Sequence, residues 1–423
     1  MDSGLLGVAA AVGRQGGEAI SQGDTAWVLL SAALVMLMTP ALAFFYGGMV
    51  SRKNVLATMM QSFAVVAVIS VQWVRWGPPL AFGSDRGGLI GGLEWFGLRG
   101  VGLEAGPYAG TIPHLAFMMF QGMFAIITPA LIIGAFAERM RFQAFLLFVV
   151  LWATLVYDPI AHWVWGGGWL GSLGALDFAG GTVVHISSGT AALAAAVVMG
   201  RRLGFGVEPK EPHDLTMVIL GAALLWFGWF GFNAGSALGA GGLAALAFVV
   251  TNTAAAMAAL TWMTLSWWHA GKPSVLGAAS GAVAGLVAIT PAAGFVGPGA
   301  AILIGFGAGA LCYYAVRLRN RWRIDDSLDV WGVHGVGGTW GAIATGLFAS
   351  ATLNAAGADG LFYGNPRQLL VQVVAVVATS AYAFVVTWAI LKVVHRLVGL
   401  RVRETDEVQG LDLAEHGEAA YAP

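Results

Sequence analysis

The sequence predicts an all-α polytopic membrane protein of eleven transmembrane helices, an inverted repeat of five and five plus a C-terminal helix. Three observations carry this reading. Residues are 58% hydrophobic and only 10% charged, with a mean hydropathy of +0.76, which excludes a soluble globular domain. From Ala26 onward the apolar residues fall into eleven spans separated by short polar segments. One device also occurs twice: Asp177 and His185 stand eight residues apart, as do Asp326 and His334, and Gly189-Thr190 after the first histidine matches Gly338-Thr339 after the second. Such internal matching marks a duplication.

Taken in order, residues 1–25 form an extracytoplasmic tail with a short apolar run, Leu5 to Val12, a weak candidate for a signal segment because Asp2 stands where a positive n-region belongs. The spans follow at about 26–50, 55–82, 111–136, 142–163, 180–200, 215–236, 243–268, 275–291, 297–316, 330–351 and 368–395. Most meet the roughly 20 residues that a helix needs to cross a bilayer. Repeat one covers about 26–200 and repeat two about 215–351, with the last helix at 368–395 and a cytosolic tail at 399–423. With the N-terminus outside, sixteen of the 21 basic residues fall on the inner side, among them Arg52, Lys53, Arg139, Arg141, Arg201, Arg202 and the run Arg317 to Arg323. Cytoplasmic loops retain positive charge, so the orientation is N-out, C-in. Seventeen tryptophans suit interfacial belts and 61 glycines suit close helix packing. The lone Cys312 in an apolar run reads as packing. Net charge is −1, which gives no global field to draw nucleic acid.

Five helices per repeat invert the second copy, so His185 and His334 open their helices from opposite sides and could meet near the midplane. Counting places each about five residues into its span, on the order of 8 Å, too shallow for contact. Both helices are therefore expected to start recessed, where irregular backbone such as Gly180-Gly181 is buried in protein. A histidine inside a membrane helix often only bonds a neighbouring helix, but a symmetric pair points to function. Two imidazoles in contact titrate as one coupled pair. Asp326 reads as an N-terminal cap for its helix. Asp177 is either a cap or an electrostatic group facing an outer vestibule, and asparagine at 177 is expected to preserve most capping. Phe120, Phe124, Trp165, Trp229 and Phe232 recur beside these helices; aromatics at such spacing usually form core, but with an acid and a hydroxyl they suit binding of a small cation.

Phe44-Phe45-Tyr46-Gly47-Gly48, Gly134 to Arg139, Trp165-Gly166-Gly167-Gly168, Asp177 to His185, Phe230 to Ser236 and Gly332-Val333-His334-Gly335 together resemble the ammonium transporter branch of the Amt/Rh family over nearly the whole chain. The resemblance implies a homotrimer with one pore per protomer. It implies recruitment of ammonium by Phe124, Trp165 and Ser236, a gate of Phe124 and Phe232, and a pore with proton relay at His185, His334 and Asp177. Phe120, Trp229 and Thr290 match further vestibule and lining positions. Trp331 stands where many relatives have phenylalanine. The tail, with Gly399 to Arg403 and Gly410-Leu411-Asp412, is similar to the segment through which PII-type signal proteins gate such transporters.

The expected function is transport across the plasma membrane, without cofactor, metal or enzymatic step. Carrying a bare charge through an apolar pore costs several kcal/mol or more, so NH4+ held outside is expected to lose a proton and cross as NH3, the proton travelling separately and making net transport electrogenic. An uncoupled NH3 channel uses the same residues. A sensor acting through the tail is a further alternative. An intramembrane metalloenzyme is disfavoured because two histidines fall short of the three protein ligands usual in catalytic zinc sites.

Overall fold

The computed structural model describes residues 20–208 and 210–421. The run at 5–12 and most of the expected 1–25 tail lie outside the described residues.

Eleven long helical rods dominate the described chain. The first four are Gln22–Met49 (α1), Val55–Phe82 (α2), His114–Phe136 (α3) and Phe142–Trp152, which continues through a π-helical turn, Ala153–Tyr157, into Asp158–Val164 (together α4). A π-helical turn, Gly181–Ile186, runs into Ser187–Met199 (together α5). Leu215–Gly235 (α6), Gly242–Ala270 (α7), Val275–Ile289 (α8) and Pro298–Trp322 (α9) follow. A third π-helical turn, Trp331–Gly335, opens Val336–Phe348 (together α10), and Pro366–Val398 (α11) closes the series. Nine helices among the described residues are long and apolar enough to cross a membrane; α8 is a shorter apolar helix of 15 residues. Expected spans and observed rods agree to within a few residues, except that α9 runs six residues past the expected 316, to Trp322. Two small hairpins, Asp85–Arg86 with Ile90–Gly91 and Ala105–Gly106 with Ala109–Pro113, cover the face where α1 begins. We call this the N-terminal face.

Polar residues at the span boundaries start the rods. Ser21, Asp214 and Ser274 accept N–H bonds from Asp24, Met217 and Gly277 and so cap α1, α6 and α8. Proline occupies the first turn of α9 and α11, where no N–H partner is needed. Because lipid supplies no hydrophobic drive between helices, packing depends on close approach. The most extensive contact joins α1 to α6. There a side chain on Gly221 would collide with the Phe45 backbone, and one on Gly228 with Met38.

The helices carrying the duplicated motif, α5 and α10, cross each other reciprocally. Each helix's straight part packs on the other's π-helical turn. Gly189 lies against the backbone of Gly335, and Gly338 against His185 and the Gly181 carbonyl. The glycines that match in sequence thus serve the same crossing.

On the opposite face the tail is docked rather than free. Residue 401 pairs with Met140 as an isolated bridge. The short helices Glu404–Gln409 (α12) and Leu411–His416 (α13) lie along the loops. Asp412 accepts the Ala57 N–H and Glu415 the Phe142 N–H. Beneath them Arg202 bonds Glu138 at 2.6 Å and Asp325 at 2.8 Å. Burial alone would raise the Glu138 carboxyl, but the adjacent Arg202 overrides it and holds the group at about 2. Burial pulls the neighbouring Arg139 guanidinium down to about 10.

Candidate functional site

Asp177 sets the geometry of the first motif. Its Oδ1 accepts N–H bonds from Gly180 and Gly181 at 2.8 and 2.7 Å, and its Oδ2 accepts from Thr182 and Val183 at 2.7 and 3.0 Å. A helix terminus leaves its first N–H groups without partners, and this one carboxylate satisfies four of them. Capping is therefore what the structure gives Asp177. The expectation that asparagine would preserve it is corrected here, since an amide has only one acceptor oxygen. The Gly180 carbonyl then accepts from both Val184 and His185, which widens the turn and aims the histidine inward.

The second copy is built less symmetrically. Asp326 accepts the Trp331 N–H at 2.8 Å through one oxygen, while its other oxygen has no hydrogen-bond partner among the described residues. Arg319 supports the same turn by bonding the Asp326 carbonyl and pairing with Asp329 at 2.7 Å. Burial pushes the Asp326 carboxyl up to about 6, against the lowering effect of Arg319. Asp326 thus caps its turn with fewer N–H bonds than the four that Asp177 accepts.

The two recessed turns bring the histidines together. His334 Nδ1 and His185 Nδ1 are 3.3 Å apart, with both rings buried. One proton fits between two such nitrogens, so one ring donates and the other accepts. His185 lies nearly parallel to Phe232 and Trp229, at ring-centroid distances of 5.9 and 5.3 Å.

Two cavities flank an aromatic barrier. At the N-terminal face a cavity of about 360 Å³ is lined by Phe124, Trp165, Ser236, Asp177 and Gln121, among others. Beyond it lies a chamber of about 10 Å³ with Phe232, Trp229, His185 and His334 in its wall. That volume is close to the minimum for one water-sized occupant. Phe124 and Phe232 stand between the two, with ring centroids 4.4 Å apart. Ser236 donates its hydroxyl proton to the Phe232 carbonyl at 2.8 Å, which leaves oxygen lone pairs to accept from a donor in the cavity. The Trp165 indole N–H donates to the Asp177 carbonyl at 2.8 Å, fixing the ring roughly perpendicular to Phe124.

Not every candidate lines a cavity. Phe120 is buried against Phe124. The Thr290 hydroxyl donates to the Leu286 carbonyl and accepts the Trp229 indole N–H at 2.9 Å, so it holds Trp229 rather than presenting a free hydroxyl. Two features escaped the sequence reading. Gln121 reaches the outer cavity with a buried side-chain oxygen that has no hydrogen-bond partner among the described residues; a polar residue inside an apolar span was the available signal. The chamber's apolar wall includes Met38, Leu42, Phe45, Leu225 and Val283 from three helices, and no sequence signal separates these residues from ordinary packing.

The Ammonium Transporter Family matches residues 26–421. An ammonium transporter of Bacillus subtilis is 57% identical over 403 residues, covering 95% of this chain and 99% of that protein. Ammonium transporter Amt1 of Archaeoglobus fulgidus is 52% identical over 402 residues, covering 95% of this chain and all (100%) of that protein. Among solved structures, Candida albicans Mep2 superposes with a TM-score of 0.87 at 39% identity, over 95% of this chain and 90% of that one. The family motifs, the paired buried histidines and this similarity over nearly the full length lead to one conclusion: the chain belongs to the ammonium transporter family.

Proposed function

We propose that the protein moves ammonium across the plasma membrane, recruiting NH4+ at the outer cavity and conducting NH3 past the histidine pair. The observation that carries this reading is the aromatic barrier between two unlike compartments. On one side, ring faces and the Ser236 lone pairs suit a small cation with hydrogen-bond donors. On the other, the chamber has room for about one small molecule and, among the described residues that line it, no carboxylate to pair with a charge. Burying an unpaired charge there costs several kcal/mol or more, whereas neutral ammonia loses only its hydrogen bonds with water. The proton released outside passes separately along the His185–His334 contact, with Asp177 shaping the turn that presents His185. Net transport is then electrogenic.

The same reading makes the eleven rods transmembrane helices, N-terminus outside and tail inside, in an inverted repeat of five and five. The reciprocal crossing of α5 and α10 supports the inversion. It also makes the protein a homotrimer, and the docked tail, with the basic loops beneath it, the surface met by a PII-type signal protein. Purified protein in liposomes, with current and internal pH recorded together under an ammonium gradient, tests the mechanism. Current that scales with the gradient is expected. Ammonia flux without current would replace the electrogenic reading with an uncoupled NH3 channel.

A further inference from the structure

His162, in the last turn of α4, is fully buried, and both its ring nitrogens face acceptors. Nδ1 lies 3.1 Å from the Ala81 carbonyl at the end of α2. Nε2 lies 2.9 Å from Oδ1 of Asp85 in the first hairpin, a residue whose side chain is 43% exposed. A carbonyl has no proton to give, and neither has an ionised carboxylate. Neutral imidazole carries one N–H and would leave one of these contacts as two lone pairs facing each other; imidazolium satisfies both. The backbone of the same turn holds the next residues: the Ala161 carbonyl accepts from Trp165 at 2.8 Å, and the His162 carbonyl accepts from Gly166 and Gly168 at 3.1 and 2.9 Å. A side chain on Gly166 would overlap the Ala81 carbonyl and press on the His162 ring, so loop, ring and α2 end are in direct contact. The hairpin closes the arrangement from above, its Gly88 carbonyl accepting the Trp169 N–H and its Leu89 carbonyl the Trp163 indole N–H.

We propose that His162 is a positioning residue: as an imidazolium paired with Asp85, it clamps the end of α2, the hairpin and the Trp165–Gly168 loop into one unit. The clamp is complete when both ring nitrogens are protonated. A ring with a single N–H would keep only one of the two contacts. Among the described residues, Asp85 is the ionisable group bonded to the ring. The others on surrounding elements are Arg86 and Glu94 near the hairpin, the Tyr108 hydroxyl bonded to the Phe82 and Gly166 carbonyls, Asp158 one turn earlier on α4, and Asp177 beyond Trp165. The consequence for transport rests on the reading of Trp165 as part of the ammonium site: loosening the loop weakens apparent affinity for ammonium.

The test uses full-length protein in nanodiscs and liposomes. Histidine nitrogen-15 NMR, with His162→Gln identifying the signal by its loss, should show both ring nitrogens protonated at neutral pH. Asp85→Asn keeps the side-chain shape and removes the charge; amide exchange across 165–168 should then rise at least about tenfold, or about 1.4 kcal/mol of local opening. Half-saturation of ammonium-driven current should rise in Asp85→Asn. A ring signal with a single proton, or wild-type exchange in Asp85→Asn, overturns the clamp. So does a variant set in which Trp165→Leu raises half-saturation while Asp85→Asn and His162→Gln leave it unchanged. If the ring is doubly protonated and Asp85→Asn loosens the loop, yet Trp165→Leu leaves half-saturation unchanged, the clamp stands and the recruitment reading falls.

Discussion

Replacing Asp177 by asparagine changes almost no volume but removes half of a four-bond cap. Each carboxylate oxygen accepts two backbone N–H bonds, with all four distances between 2.7 and 3.0 Å. Asparagine keeps one oxygen, and its NH2 group must then face either Gly180 and Gly181 or Thr182 and Val183, donor against donor. Hydrogen bonds to charged groups contribute about 1.5–3 kcal/mol each. Two lost bonds therefore cost about 3–6 kcal/mol at the start of α5, before any donor–donor repulsion. Alanine loses all four, so Asp177→Ala should be the more damaging. The first turn of α5 carries His185, so the expected result is faster amide exchange over 180–186 together with reduced ammonium-driven current. Exchange mass spectrometry on purified Asp177→Asn, alongside current in liposomes, makes the check. Wild-type protection at 180–186 with lost current would refute the capping argument and return the electrostatic role to Asp177; wild-type values of both would show the carboxylate to be dispensable.

Trp165→Leu removes a cation–π contribution of about 0.5–2 kcal/mol, so half-saturation of current should rise by at most roughly thirtyfold, with potassium still competing poorly because it donates no hydrogen bond to Ser236. Unchanged half-saturation would leave Trp165 as vestibule packing. Replacing either His185 or His334 with an apolar residue should reduce current more than neutral ammonia passage, measured side by side in the same liposomes; equal loss of both would argue for a steric role. Glu138→Gln leaves Arg202 with one of its two carboxylates, and breaking a buried pair costs about 3–5 kcal/mol, so the melting temperature in detergent should fall and the tail should become protease-sensitive. The sign of the pH dependence follows from the lowered Glu138 group: its contribution is complete above the carboxyl's ordinary range and is lost as pH falls toward about 2. Wild-type stability should therefore be insensitive to this group from neutral to mildly acidic pH, and the gap between wild type and Glu138→Gln should close only in strong acid.

The amino-acid sequence determined the solvent, the spans and the duplication. A chain with 10% charged residues and eleven apolar runs does not read as a soluble domain, and in lipid its backbone polar groups must be satisfied within each helix. The Asp177–His185 and Asp326–His334 spacing, with the matching Gly189 and Gly338, also identified the two helices that cross. These are local properties, written in composition and periodicity. Tertiary structure alone decided the rest. The π-helical turns that recess both histidines, and the 3.3 Å between their nitrogens, depend on how far glycine lets α5 and α10 approach. Whether a polar side chain is free or engaged likewise depends on distant partners: Thr290 holds Trp229 from 61 residues away, and His162 meets Asp85 across 77. Residues of one type, in equally apolar spans, acquire different roles because helix crossings through space, unlike helix formation, leave no periodic signature along the chain.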